Sequence, residues 1–169
     1  MIKDRIQEEI NKQINEEMFS AYLYLAMSAD FAAKNLPGFA NWMHIQYQEE
    51  MSHTMKFYNY LIERGGEVEL RAIEKPQKNW ETPLVAFEAA YAHEQHITGR
   101  INEMMDAAIE ERDHATQIML QWFVTEQVEE EANADEIVNK LKFIEGNKHA
   151  IYMLDREMAQ RVFTDETAK

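Results

Sequence analysis

Six polar side chains recur along this sequence at a spacing suited to holding metal ions. Glu50 follows Glu17 by 33 residues and His53 follows it by 36; Gln127 follows Glu94 by 33 and Glu130 follows it by 36. Each half therefore supplies one acid and then a pair at i and i+3, which share a face if the segment is helical. Four carboxylates balance two divalent cations. Oxygen ligands with a single imidazole suit iron or manganese better than the tetrahedral, sulfur-rich sites of structural zinc. A single inward Glu is more often a helix-edge residue, and a single His more often a packed or surface one. The spacing matched in both halves is what selects a binuclear centre.

A second concentration of charge lies in Thr125-Glu126-Gln127-Val128-Glu129-Glu130-Glu131. Like charges three or four residues apart on an exposed helix cost roughly 0.2–0.5 kcal/mol per pair, and burying one uncompensated costs far more. Glu130 must face inward to share a stripe with Leu120, Phe123, Gln127, Ala134, Ile137 and Leu141, so a cation among these glutamates is expected.

The elements that position these residues are legible from periodicity and punctuation. Ile6, Ile10, Ile14, Met18, Ala21 and Leu25 form the stripe of a first helix, with Asp4 and Gln7 as a capping pair, ending near Lys34. A second helix is predicted from Pro37 to about Arg64, stopped by Gly65-Gly66. Residues 67–81 read as a long connection, within which Val68, Leu70 and Ala72 alternate with charges as an extended segment does. Thr82-Pro83 supplies an N-cap and a Pro at the first helical position of a third helix, reaching about Arg112. Asp113 caps a fourth to about Ile144, and a short fifth runs from about Lys148 to Val162. Two short turns and one long crossover imply an all-α, antiparallel four-helix bundle with a short C-terminal fifth helix, a single domain over residues 1–169. In such a bundle the six polar residues fall at one level of the interior.

Composition excludes other classes. The chain has 169 residues, a formal net charge of −14 and no cysteine, which argues against nucleic acid or an anionic membrane as partner and removes disulfides, thiolate metal sites and a Cys nucleophile. The N-terminus is charged from its third residue, unlike a secretory signal, and the longest uncharged apolar run, residues 18–29, is too short to span a bilayer. A cytoplasmic protein is expected. His93-Glu94-Gln95-His96 is not a metalloprotease motif, because position 97 is Ile.

On Glu17, Tyr24, Glu50-x-x-His53, Glu94 and Glu126-Gln127-x-Glu129-Glu130, together with the crossover and the short fifth helix, the chain resembles the bacterial non-haem ferritins over nearly its whole length. The symmetric pattern of ferritin-like di-iron bundles is a Glu from each of two helices and a Glu-x-x-His from each of the others; here Gln127 and Glu130 replace the second pair. The resemblance implies a ferroxidase that oxidises Fe(II) with dioxygen or peroxide and stores a ferric oxide mineral in a homo-oligomeric shell of 24 subunits. It implies one iron on Glu17, Glu50 and His53, and a second on Glu50 as a bridge, Glu94 and Glu130, with Gln127 as a weaker contact. It further implies a third iron on Glu49, Glu126, Glu129 and Glu130, with Tyr24 assisting oxygen reduction. Glu131 is left as a solvated residue and Trp122 as a core residue. From the family's architecture the 68–72 segment would pair across a two-fold axis, and the fifth helix would line a four-fold channel.

The nearest alternatives are a haem-containing bacterioferritin, to which Met51 would be relevant, and a non-storage di-iron oxidase or peroxidase. Glu at position 130 rather than His, and the absence of cysteine, weigh against them, so no haem is expected. A DNA-coating mini-ferritin would build its sites between subunits and lack the fifth helix. A purely structural bundle would need no matched acids.

Overall fold

The computed structural model describes residues 2–144, 146–165 and 167. Among the described residues five helices follow in order: α1 Asp4–Ala33, α2 Pro37–Glu63, α3 Pro83–Glu110, α4 His114–Phe143 and α5 Lys148–Met158. No strand occurs among the described residues. The principal packing is α1 on α2 and α3 on α4, with α1 also on α3 and α2 on α5. Among the described residues no helix is long and apolar enough to cross a membrane. The predicted boundaries of α1 to α4 hold to within one or two residues of the observed ends.

Local chemistry explains where the helices stop and start. Asn35, Gly65, Arg112 and Gly146 all adopt positive φ, between 54° and 75°, the left-handed turn that commonly closes a helix. The Thr82 hydroxyl accepts from Val85 N–H, and the Asp113 carboxylate from Thr116 N–H. Asn147 does the same for α5. The expected capping pair on α1 is not formed: the N-cap is Lys3, without a side-chain bond, and Gln7 instead accepts from the backbone of Glu67. Gln7, Asn11 and Asn15, one helical turn apart, fasten the crossover to α1. Asn11 donates to Glu67 O and accepts from Glu69 N–H, while Asn15 donates to Ala72 O. The 68–72 segment is therefore tied to its own helix by side chains.

α5 is shorter than expected, ending at Met158 rather than Val162. The Asn41 amide donates to Met158 O and Arg161 O, and Arg161 turns back into the bundle. At the other end of this contact Asp155 accepts from the N–H groups of Gly38 and Phe39, so α5 supplies the cap that α2 lacks in its own sequence. Gly38 permits this approach, since a Cβ there would lie 1.5 Å from the Asp155 carbonyl oxygen.

The interior contains two apolar regions. One includes Tyr24, Phe31, Phe39, Trp42 and Phe87; the other includes Ile6, Ile10, Phe57, Ile101 and Phe123. Between them lies the polar level at Glu17, Glu50, His53, Glu94, Gln127 and Glu130. The α4 stripe from Leu120 to Leu141 is buried as expected. On α1 the inner stripe passes to Tyr24, and Leu25 is 38% exposed, because 3.6-residue periodicity places position 24 rather than 25 one heptad from Glu17.

Candidate metal centre

All six polar residues are buried, none more than 4% exposed. Among the described residues two groups of ligand atoms close to within 4.8 Å: Glu17, Glu50 and His53, and His53, Glu126 and Glu130. The imidazole of His53 stands between them, with Nδ1 3.4 Å from Glu50 Oε2 and Nε2 3.8 Å from Glu126 Oε1. Trp122 and Phe123 pack edge-on to the ring and fix its plane. Glu94 belongs to neither group; its carboxylate accepts from the Tyr24 hydroxyl and from Gln127 Nε2 at 3.2 Å.

Each central carboxylate has a neutral donor. Gln13 Nε2 donates to Glu17 at 2.9 Å. Gln46 Nε2 donates to both Glu50, at 3.0 Å, and Glu130, at 2.8 Å. Neutral amides orient the acids without cancelling their charge, as outer residues around metal ligands do. These glutamines were missed in the sequence, although a signal was present: each stands four residues before an acid of the centre, on the same helix face. The second oxygen of Glu17 is buried without a hydrogen-bond partner, a costly arrangement for a protein group but a suitable one for a metal ligand.

Burial dominates the electrostatics. It pushes Glu17 and Glu130 well above the usual carboxylate range, reinforced by the charge of Glu50 on Glu17 and those of Glu94 and Glu50 on Glu130. Glu94 is pushed up to about 8 by burial and then by the Glu50 charge. Glu50 moves the other way: burial opposes its ionisation, but the His53 imidazole beside it and the hydrogen bond from Gln46 outweigh it. His53 is correspondingly raised, the nearby carboxylates of Glu126 and Glu50 overcoming desolvation. Burial and the adjacent Glu94 also keep the Tyr24 phenol protonated. The metal-free centre thus pairs Glu50 with His53 among carboxyls whose burial favours the protonated form. This donor set of hard oxygens and one imidazole fits two divalent cations.

Glu49, Glu126, Glu129 and Glu130 line one cavity of about 190 Å³ next to His53. Glu129 is exposed at its edge, and Glu49 is bound by Arg161 rather than by its acidic neighbours. Glu131 is not simply solvated. It accepts from the Thr98 hydroxyl at 2.5 Å, and Gln127 Nε2 lies 3.4 Å from the same hydroxyl, so Glu131 helps seat the amide beside Glu94. Trp122 is partly buried, its ring facing His53 on one side and Lys56 Nζ, 4.5 Å from its centroid, on another.

Comparison with known proteins agrees with this architecture. Residues 7–144 match the ferritin-like domain. The chain is 42% identical over 161 residues to a bacterial non-heme ferritin of Bacteroides fragilis, covering 95% of this chain and 100% of the relative. It is 36% identical over 166 residues to the corresponding Staphylococcus aureus protein, covering 98% and 100%. Its fold superposes on an open pore ferritin from the hyperthermophilic archaeon Archaeoglobus fulgidus with a TM-score of 0.95, at 48% identity over 96% of this chain and 100% of that one. A humanized archaeal ferritin gives 0.96 at 49% identity, covering 97% and 99%. The bundle, its buried ring of acids and these likenesses lead to one conclusion: the chain belongs to the ferritin family, among the bacterial non-haem ferritins.

Proposed function

We propose that this chain is an iron-storage protein that oxidises Fe(II) at the buried centre, with dioxygen or peroxide as oxidant, and deposits ferric oxide within a 24-subunit shell. The observation that carries this reading is the Glu17–Glu50–His53 cluster, whose ligand atoms lie within 4.8 Å of one another at the same level as Glu94 and Glu130. In this reading residues 1–169 act as one cytoplasmic domain. Glu17, Glu50 and His53 hold one substrate iron; Glu50, Glu94 and Glu130 hold the other, with Gln127 beside it.

The two ions together supply the electron pair that the oxidant accepts. The side chains prepare that event. Gln13 and Gln46 keep the carboxylates of Glu17, Glu50 and Glu130 turned into the centre. The protons that burial keeps on Glu17, Glu94 and Glu130 leave as cations arrive, and the ionised oxygens favour the more highly charged ferric product. The Tyr24 hydroxyl, bonded to Glu94, is positioned to donate a hydrogen bond or an electron during oxygen reduction. Glu126 and Glu130, across His53, offer the departing ion its next ligands, joined at the cavity edge by Glu129 and Glu49.

Stopped-flow oxidation of Fe(II) under air tests the assignment. His53→Ala and Glu130→Ala should each abolish the fast phase while leaving the helical content unchanged. Full initial rates in Glu130→Ala would overturn the placement of the second iron.

A further inference from the structure

The segment after α5 is built into the centre through Arg161, a contact that the iron chemistry above does not require. Arg161 Nη2 donates to Glu49 Oε2 at 2.5 Å and Nη1 to Gln46 Oε1 at 2.9 Å. Its guanidinium lies over the Trp42 ring, 4.3 Å from the centroid, and both Arg161 and Glu49 are only 20% exposed. Gln46 is the residue whose other amide atom donates to Glu50 and Glu130. Arg161 thus determines which way that amide points, because an oxygen facing the guanidinium leaves the NH₂ group facing the acids.

The same segment lines the acidic cavity: Val162, Phe163 and Thr164 border it together with Glu126, Glu129 and Glu130. Further along, the carbonyl of Thr167 accepts from Lys56 Nζ at 3.3 Å. Among the described residues lining this cavity, Arg161 is the sole arginine or lysine. A planar, permanently charged fork that is stacked on an aromatic ring is well held, and Lys cannot reproduce it.

Resting on the reading of the centre given above, we infer that Arg161 is the resident cation of the third metal position, a positioning residue that a metal ion must displace to reach Glu49. Two consequences follow for the chain. Competition by Arg161 weakens metal binding at that position, which keeps it a place of passage rather than a trap. Displacement also frees the Gln46 amide, so occupation of the third position is felt by Glu50 and Glu130. Removing a hydrogen-bonded charged competitor tightens binding by roughly ten- to a hundred-fold.

The test uses zinc, which has no redox chemistry, on the full-length wild-type protein and on Arg161→Gln and Arg161→Lys. Calorimetry measures the affinity of each class of site, and crystals soaked in zinc locate the ions by anomalous scattering. Zinc at the third position should be at least tenfold tighter in Arg161→Gln, with Arg161→Lys between it and wild type. In the wild-type crystal, the guanidinium should leave Glu49 wherever zinc occupies that position. Unchanged or weaker third-site binding in Arg161→Gln overturns the inference, as does a wild-type crystal with zinc and Arg161 together on Glu49. The crystal comparison needs no variant, so it decides the matter even if Arg161→Gln misfolds. Zinc bound by Glu17, Glu50 and His53 but indifferent to Arg161 refutes this inference alone. Failure to bind there would refute the reading of the centre as well.

Discussion

Loading the centre with metal should release protons, in a number set by the arrangement of its acids. Burial raises Glu17 and Glu130 well above the usual carboxylate range and Glu94 to about 8, while Glu50 is lowered and His53 raised by their mutual attraction. Metal ligation needs His53 neutral and the four carboxylates ionised, so binding must expel the protons that the raised groups hold. The affinity for the pair of ions should therefore rise with pH, by about one power of ten per pH unit for each proton released. Zinc titrations by calorimetry at pH 6, in buffers of different ionisation heat, count the protons directly. More than about one proton per pair of ions is expected, fewer above pH 8 as Glu94 ionises. Release of fewer than one would show that the acids are already charged in the metal-free protein and would refute the argument.

The same shifts govern stability. Glu17, Glu94 and Glu130 have folded pKa values above their unfolded ones, so the metal-free fold binds more protons than the unfolded chain from about pH 4.5 upward, and its stability falls as pH rises toward 8. Raised His53 acts in the same direction, and depressed Glu50 contributes in the opposite sense only as pH falls through the acid range. Thermal unfolding of metal-free protein should show this decline between pH 5 and 8, and zinc loading should remove it. Gln13→Leu should weaken metal binding by roughly tenfold or more and lower metal-free stability by about 1–3 kcal/mol, because it leaves the buried Glu17 carboxyl without its donor; calorimetry and denaturant titration read the two effects separately. Gly38→Ala should push α5 from the N-terminus of α2, given the 1.5 Å approach, and lower stability by about 2 kcal/mol or more, as loss of an N-cap with overpacking does. Phe57, stacked on Phe123 at 3.9 Å, should cost about 3–5 kcal/mol when cut to Ala, measured by urea unfolding.

What the sequence disclosed, and what it did not, divides by range. Helix periodicity and the turns at Asn35, Gly65 and Arg112 are local, and they were legible. The six polar residues were legible too, because two helix pairs repeat one spacing and the repeat survives without knowledge of the packing. Gln13 and Gln46 were within reach, since their bonds to Glu17 and Glu50 span only four residues. Arg161 and Asp155 were not: their partners on α2 lie more than a hundred residues away, and no local pattern announces that a tail will return to the bundle. The expected cap at Asp4 failed because Gln7 has a stronger claim, the otherwise unpaired backbone of the crossover. α5 ends at Met158 although its apolar pattern continues through Val162, because the Asn41 amide takes the Met158 and Arg161 carbonyls in tertiary contact.

Storage is decided by the iron retained per chain after aerobic loading with Fe(II), taken on the largest species from a sizing column. A particle far larger than one chain should retain many more iron atoms than the chain's own side chains can ligate. Iron limited to what Glu17, Glu50, His53, Glu94, Glu130 and the adjoining acids can hold would contradict storage and leave only a di-iron oxidase.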